Sequence, residues 1–373
     1  MTANSVFNAY LDANIMLVLA ACLWALTRYA LCHSSLRHAF SLQLQVVYGV
    51  MLAVVFTPVV VGFYSLLSQI GLWRSDLVPS LSDVALAQYL SGRFEMAPTT
   101  FETLWMWRTV FTQDVTTLGS PLGMAVAGLG IAGIAVFALR LLANVVRVSR
   151  LIGQSYVLRR INGIDIRLSD KVTVPFSTRA WRRRYIVLPS ALLSDADDLR
   201  IAVSHELQHM RQGDLGWEIA LEALRPLFFW NPAFAYFKRE VDELRELACD
   251  QQVLLRRRFG VGAYCDCLLR VCRDALGQGT RRQVLMPSVP LVSSERNRRA
   301  ARFLKRRVVS MTSQRRPLPG RWVTGLLVVP LLAVISVGAI ASQGSGDWSQ
   351  DRLMLSTIVN LERLDQRTLA NPY

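Results

Sequence analysis

The chain has 373 residues, of which 52% are hydrophobic, and its formal net charge at pH 7 is +15. That hydrophobic fraction is above the range of ordinary soluble globular proteins, which excludes a purely soluble domain as the simplest explanation. A charge this large is compatible with nucleic-acid binding or with membrane orientation, and its position along the chain decides between them.

Four long apolar runs predict membrane-spanning helices. Each is close to the ~20 residues that a helix needs to cross a bilayer, and few ionisable groups interrupt them. The runs cover residues 11–31, 43–68, 121–142 and 322–342. We interpret the first as an uncleaved anchor rather than a signal peptide, because residues 1–21 contain no Lys or Arg but do contain Asp12.

The positive charge is concentrated between the third and fourth apolar runs. Residues 147–321 carry 33 Lys and Arg against 17 Asp and Glu, whereas the rest of the chain carries 9 against 10. Such a bias is typical of the cytoplasmic side of a membrane protein. We therefore expect an inner-membrane protein whose two termini and loop 71–120 lie outside, with no direct nucleic-acid binding.

These assignments divide the chain into five parts. They are an N-terminal membrane domain with three membrane helices (1–146), a cytoplasmic domain (147–280), an Arg-rich linker (281–321), a fourth membrane helix (322–342) and a short outside tail (343–373). None of the six cysteines lies in the two outside segments, so no disulfide framework is predicted. We interpret Cys265 and Cys267 as buried thiols on one helix.

The cytoplasmic domain begins with short β-branched or alternating stretches that predict a small sheet. Asn162-Gly163 is typical of a hairpin turn between the first two strands. The predicted strands are Ser155–Leu158, Ile164–Leu168, Lys171–Val174 and Tyr185–Leu188.

Helical signals follow the predicted strands. Ser194 or Asp195 is expected to cap a helix that ends near Gly213, and Asn231-Pro232 is typical of a later helix start. After the first helix, three more are predicted over about 215–229, 232–258 and 261–276. The linker 281–321 is expected to be extended.

The strongest motif is His-Glu-Leu-Gln-His at residues 205–209. Two histidines four positions apart lie on one face of a helix, so both rings can reach one metal ion. Glu206 stands beside the first histidine, where it can take a proton from a water molecule that the metal activates. The motif therefore predicts a Zn²⁺ site that includes His205 and His209.

A catalytic zinc site usually has three protein ligands and one open position for water. No histidine follows residue 209, so the third ligand is expected to be a carboxylate or a thiolate. The predicted helix 232–258 offers five carboxylates, and spacing alone does not choose among Glu240, Asp242, Glu243, Glu246 and Asp250.

Several motifs taken together resemble the BlaR/MecR-type membrane metallopeptidases. They are the His-Glu-Leu-Gln-His helix followed by Asp214, the sequence Phe-Phe-Trp-Asn-Pro at 228–232, and Glu246-Leu-Ala-Cys-Asp250. Ile186-Val-Leu-Pro189 is similar to the strand that precedes the active-site helix in that family. The resemblance covers about 121–345, and the first two membrane helices by topology only.

The resemblance implies a role for each matching residue. His205, His209 and Glu246 would bind zinc, and Glu206 would act as the general base. Asp250 would orient a ligand histidine from outside the coordination sphere.

Asp214 either orients a ligand histidine in the same way or caps the next helix.

The implied fold is a multi-pass α-helical membrane protein with a cytoplasmic α+β zincin-like metalloprotease domain.

The implied function is signal transduction by cleavage of a cytoplasmic protein such as a transcriptional repressor, as in the regulation of antibiotic resistance. Membrane lipids are further expected partners, and an outside partner could contact loop 71–120 or the tail. The alternatives are a membrane-protein quality-control protease of HtpX type and a non-catalytic, zinc-bound signalling scaffold.

Three details are left open by the sequence. Tyr185, Tyr264 or an arginine could stabilise the oxyanion, and the strand around 185–188 could bind substrate as an added strand. The linker 281–321 could be an intramolecular cleavage site.

The chain departs from the best-known family members because it has no Ser-x-x-Lys motif and no penicillin-binding domain after the last apolar run. We therefore expect no covalent sensing of β-lactams.

Overall fold

A computed structural model describes nine segments of the chain. These are residues 3–70, 81–91, 93, 96–180, 183–256, 259–277, 294–312, 321–342 and 354–362. The chain forms two compact units, each assembled from separate segments. The first unit comprises Met1–Ala25, Gly49–Ala132 and Gly325–Tyr373, and the second comprises Leu26–Tyr48 and Gly133–Thr324.

Four helices are long and apolar enough to cross a membrane, and each of them contains one of the predicted runs. By length and composition, these helices are four candidate membrane spans, in agreement with the predicted runs. These helices are α1 (Ala3–Cys32), α2 (Phe40–Gln69), α5 (Pro121–Gly153) and α11 (Arg321–Ala341).

The first unit also contains α3 (Leu81–Leu90) and α4 (Pro98–Thr117). Asp12 of α1 is buried and accepts a hydrogen bond of 2.6 Å from Arg108 of α4, so the one acidic residue of this apolar run has a charged partner. A short helix at residues 354–362 packs against Leu86 through Leu355 and Val359.

The tail helix has a buried face and an exposed face. In the structure Leu355 and Val359 are buried and Leu361 is 59% exposed, while Trp348 and Leu353 lie outside the described residues.

The second unit contains a four-stranded mixed sheet. Its strands are β1 (Tyr156–Ile161), β2 (Ile164–Ser169), β3 (Phe176–Ala180) and β4 (Arg183–Pro189), in the spatial order β1-β2-β4-β3. β2 and β4 run parallel, and the other two pairs are antiparallel. The predicted turn is confirmed, because Asn162 and Gly163 both have positive φ (48° and 77°).

Side chains of β4 alternate between two apolar layers, as the two-residue period of a strand requires. Ile186 and Leu188 pack with Ile166 and Leu168 of β2 against the helix that follows the sheet. Val187 points to the opposite layer, where it contacts residues of the connection before β3 and of the end of α5.

The strand predicted at Lys171–Val174 is wrong. Val172 is buried in the layer of Val187 without belonging to a strand, and the third strand starts at Phe176 after a proline. Proline has no N–H to donate to a ladder, so it commonly precedes a strand rather than extending one. The alternating apolar pattern here therefore reflects a buried connection.

The helices predicted after the sheet are confirmed. They are α6 (Ala196–Gln212), α7 (Asp214–Leu224), α8 (Pro232–Leu255) and α9 (Val261–Gly277). Cys265 and Cys267 are buried free thiols on α9, as expected. They pack in a core with Cys249 of α8 and Ile201 of α6.

The expectation of an extended linker is wrong for its central part. Ser294–Thr312 forms a helix, α10, whose residues Val308 and Met311 join the core between α8 and α9. Its many charges concealed a helical stripe, because Leu304, Val308 and Met311 are spaced by four and three residues. The flanking stretches of the linker lie outside the described residues.

Candidate metal centre

Two helices with defined starting points carry the predicted metal-binding residues. The Asp195 side chain caps α6 by accepting hydrogen bonds from the backbone N–H groups of Asp197 and Asp198 (2.9 and 3.3 Å). Asn231 caps α8 by accepting one from the backbone N–H of Ala233 (2.9 Å). These caps fix where each helix begins, and therefore which side chains it turns inward.

The two histidines of α6 lie one helical turn apart, and their rings converge. The Nε2 atoms of His205 and His209 are 3.1 Å apart, and the ring planes meet at 86°. Two nitrogens bound to one tetrahedral zinc at ~2.0–2.1 Å lie about 3.3 Å apart, so the observed separation suits shared coordination.

The other nitrogen of each ring has its own oxygen partner. Nδ1 of His209 is 2.8 Å from Oδ2 of Asp214, and Nδ1 of His205 is 2.8 Å from Oη of Tyr264. Tyr264 in turn donates to Oδ1 of Asp250 at 2.8 Å. Each Nδ1 therefore acts as the donor and each Nε2 keeps its lone pair, which is the tautomer that binds a metal.

Glu246 of α8 completes a three-residue arrangement. Its Oε2 is 3.5 Å from Nε2 of His205, and its Oε1 is 3.5 Å from Nε2 of His209. The carboxylate thus faces the same point as both ring nitrogens. Among the five carboxylates that spacing left open, the described structure places Glu246 against both of these nitrogens.

Cys249 is another group near the histidines, and spacing alone did not single it out. Its Sγ and one ring nitrogen from each histidine lie within 4.8 Å of one another. However, Sγ lies 3.5 Å from Nδ1 of His205 and 3.4 Å from that residue's carbonyl oxygen. The thiol therefore lies beside Nδ1 of His205, whereas the Glu246 carboxylate faces the Nε2 atoms of both histidines, an arrangement that suits a third ligand better.

The charges around the histidines change their protonation. Burial by itself lowers the pKa of His209, but Cys249 and the hydrogen bond to Asp214 outweigh it and raise this pKa to about 10. Burial raises the pKa of Glu246, whereas Arg307 and the two histidines lower it, and the net result is well below its ordinary value. The acidic surroundings thus favour positive charge at the two histidine rings, which is the charge that a bound metal cation would supply.

The remaining predicted residues take different positions. Glu206 is buried (6% exposed) directly after His205. Asp250 reaches His205 chiefly through Tyr264, since its own Oδ1 is 3.5 Å from Nδ1. Asp214 contacts Nδ1 of His209 directly, so it does more than begin α7.

The structure disfavours two of the alternatives that the sequence left open: Tyr264 as the oxyanion donor, and the strand around 185–188 as an edge that binds substrate. Tyr264 lies on the Nδ1 side of His205 and is already bonded to Asp250, so its hydroxyl is directed away from the Nε2 atoms. β4 pairs with β2 on one edge and β3 on the other, so it has no free edge for a substrate strand.

Arg307 of α10 is a residue of the site that the sequence did not reveal. Its guanidinium lies 3.2 Å from Oε2 of Glu246 and donates two hydrogen bonds of 2.7 Å to the carboxylate of Asp250. The helical stripe of α10 was a usable signal for the helix, but nothing in the sequence distinguishes this arginine from its neighbours.

Two converging histidines and a glutamate on adjacent helices, in a chain with four candidate membrane spans, form the arrangement expected of a membrane metallopeptidase. The family model described as BlaR1 peptidase M56 matches residues 11–280, and the chain belongs to this family. The match confirms the resemblance found in the motifs and extends it over the first two apolar helices. No curated protein sequence matches the chain.

Proposed function

We propose that the chain is a zinc-dependent metalloendopeptidase in which His205, His209 and Glu246 hold the metal and Glu206 is the general base. The observation that carries the proposal is the convergence of two Nε2 atoms, 3.1 Å apart, with a carboxylate oxygen 3.5 Å from each.

The donor set suits zinc on chemical grounds. Two imidazole nitrogens and one carboxylate oxygen form a common catalytic set, which leaves a fourth position open. Two lone pairs that face each other repel, and a cation bound by both removes that repulsion. Asp214 and Tyr264 hold the rings in this orientation from behind.

When bound, zinc polarises a peptide carbonyl and acidifies water. The residues of the chain supply the proton transfers around that chemistry. Glu206 accepts a proton from the attacking water and passes it to the leaving amine. Asp214, and Asp250 through Tyr264, hold the Nδ1–H groups of the histidines. They thereby leave each Nε2 unprotonated and fix the orientation of each ring.

We further propose that the protease acts in signalling by cutting a cytoplasmic protein, such as a transcriptional repressor. Membership of the BlaR1 peptidase family supports this role, and the positive charge of residues 147–321 supports a cytoplasmic active site. An extended peptide has β3 as its natural docking strand, because β3 is an edge of the sheet and contacts both α6 and α7.

Two measurements on the full-length protein in detergent test the proposal. Wild type is expected to hold about one zinc per chain by elemental analysis, and Glu246→Gln to lose it. Glu243→Gln is the matched control, since Glu243 lies on the same helix and pairs with Arg239 and Arg306 instead of the histidines. Its zinc content should equal that of wild type.

Glu206→Gln is expected to retain zinc and to lose peptide-bond cleavage, because it keeps the side-chain size but removes the base. Comparing cellular protein fragments between wild type and this variant identifies the substrate. A Glu206→Gln enzyme that cleaves at the wild-type rate, or a Glu246→Gln chain with full zinc content, would contradict the assignment.

A further inference from the structure

Arg307 links two acidic residues that lie one turn apart on α8. Its Nη1 is 3.2 Å from Glu246, and its Nε and Nη2 each lie 2.7 Å from an oxygen of Asp250. Asp250 is buried and Glu246 is largely shielded from solvent, with side-chain exposures of 1% and 17%. One guanidinium therefore bridges the two carboxylates and reduces the repulsion between them in a poorly solvated site.

The same two carboxylates connect to both histidines. Glu246 faces Nε2 of His205 and of His209, and Asp250 reaches Nδ1 of His205 through the Tyr264 hydroxyl. Arg307 is thus bonded to the proposed third ligand on one side and to the orienting relay of His205 on the other.

The helix α10 delivers this arginine through contacts outside the metal centre. Arg306 donates a hydrogen bond of 3.0 Å to Glu243, and Met311 Sδ lies 3.6 Å from Cys265 Sγ in the core. Val308 packs against the same core. These contacts dock α10 on α8 and α9 independently of Arg307, so the arginine's role is separable from the docking of its helix.

We propose that Arg307 is a positioning residue of the metal centre, which holds Glu246 in its ligand position and, through Asp250 and Tyr264, fixes the ring of His205. This inference rests on the proposed function. It also makes the docking of α10 a condition for a fully assembled zinc site.

The charge of Arg307 does not argue against this role. A lone cation beside a divalent metal would weaken its binding, but the two hydrogen bonds to Asp250 make a locally neutral pair. Lysine could supply the same charge, whereas only the planar guanidinium can bond Asp250 twice and reach Glu246 as well. Geometry and charge therefore predict different outcomes for a lysine substitution.

The experiment uses full-length protein in detergent and measures zinc affinity by competition with a chelator. Arg307→Gln and Arg307→Lys are both expected to weaken zinc binding about 10–100-fold, the usual effect of losing a partner that orients a metal ligand. Arg306→Gln is the matched control. Its zinc affinity should stay within about twofold of wild type, because Arg306 bonds Glu243 and not a residue of the metal centre, and Val308 and Met311 still hold α10 in place.

The second readout is the visible absorption spectrum with Co²⁺ in place of zinc. Both Arg307 variants should change the band positions or intensities, because their ligands adopt a different geometry, while Arg306→Gln should reproduce the wild-type spectrum. A purely structural role would lower the thermal midpoint of the metal-free protein without changing this spectrum. If Arg307→Gln does not fold, Arg307→Lys decides the outcome by itself.

The inference is overturned if Arg307→Lys binds zinc as tightly as wild type, if removing the arginine strengthens binding, or if the Arg306 and Arg307 variants behave alike. These outcomes differ from a failure of the proposed function. In that case wild type itself would hold no zinc, or the Glu246→Gln chain would retain it.

Discussion

At the scale of single residues, the hydrogen-bond partners of the two histidines are as important to the geometry of the site as the histidines themselves. Asp214 follows α6 and Tyr264 lies on α9, yet both bond an Nδ1 atom and leave Nε2 available. The sequence predicted the histidine pair because residues four positions apart on a helix lie on the same face. It did not identify Tyr264 as a partner of His205, since that contact joins residues 59 positions apart.

A residue-scale prediction concerns Asp198, which is buried in the first turn of α6 and bonded by Arg270. The hydrogen bond from Arg270 lowers the pKa of Asp198, and partial burial opposes the shift without reversing it. A lowered pKa means that the pair stabilises the fold above the unfolded value of about 3.9 and that this contribution is lost as the pH falls through the folded value.

Asp198→Asn should therefore lower the thermal midpoint by a few degrees at pH 7, and the difference from wild type should shrink below about pH 4. Asp197→Asn is the control, because that side chain occupies the same helical turn and is 82% exposed. A difference between wild type and Asp198→Asn that is constant from pH 7 to pH 3.5 would rule out this explanation.

At the scale of the elements, Gly213 joins α6 to α7 and thereby sets the position of Asp214 beside His209. Its φ is +79°, in the left-handed region that residues with a Cβ avoid. Gly213→Ala should cost about 1 kcal/mol of stability and weaken zinc binding through a displaced Asp214.

Gly216 is the matched comparison for Gly213. It lies in α7, and a Cβ there meets open space. Gly216→Ala should raise stability by about 0.4–1 kcal/mol, since alanine favours the helix and reduces the freedom of the unfolded chain. Thermal unfolding in detergent measures both effects, and equal shifts for the two alanines would contradict the backbone argument.

An element could be predicted well when its signal, a cap or an apolar periodicity, lay within the element's own sequence. The helices α6, α8 and α9 have clear caps or apolar periodicity, and their bounds follow the sequence closely. β3 and α10 were harder, because a buried connection imitates a strand and because arginines surround the apolar stripe of α10. The arrangement of β2 beside β4 depends on pairing at a distance, which no local pattern specifies.

At the scale of the whole molecule, the four apolar helices and the charge bias predict the topology. Reporter fusions after residues 95, 200 and 373 should read outside, inside and outside, in that order, because the excess of Lys and Arg stays on the cytoplasmic side. A fusion after residue 35 is an internal reference and should read inside. A tail that reads inside would be incompatible with four spans in this orientation.

The helix α8 has further bonds to residues at the ends of the first two apolar helices. Arg28 of α1 forms an ion pair with Glu240, and Gln251 and Gln252 bond the His38 carbonyl and the Ser41 hydroxyl. We therefore expect the part of the chain from β1 onward to be less stable when it is separated from the residues before it. A polypeptide that starts at residue 147 loses all three bonds, although it keeps every residue of the candidate metal centre.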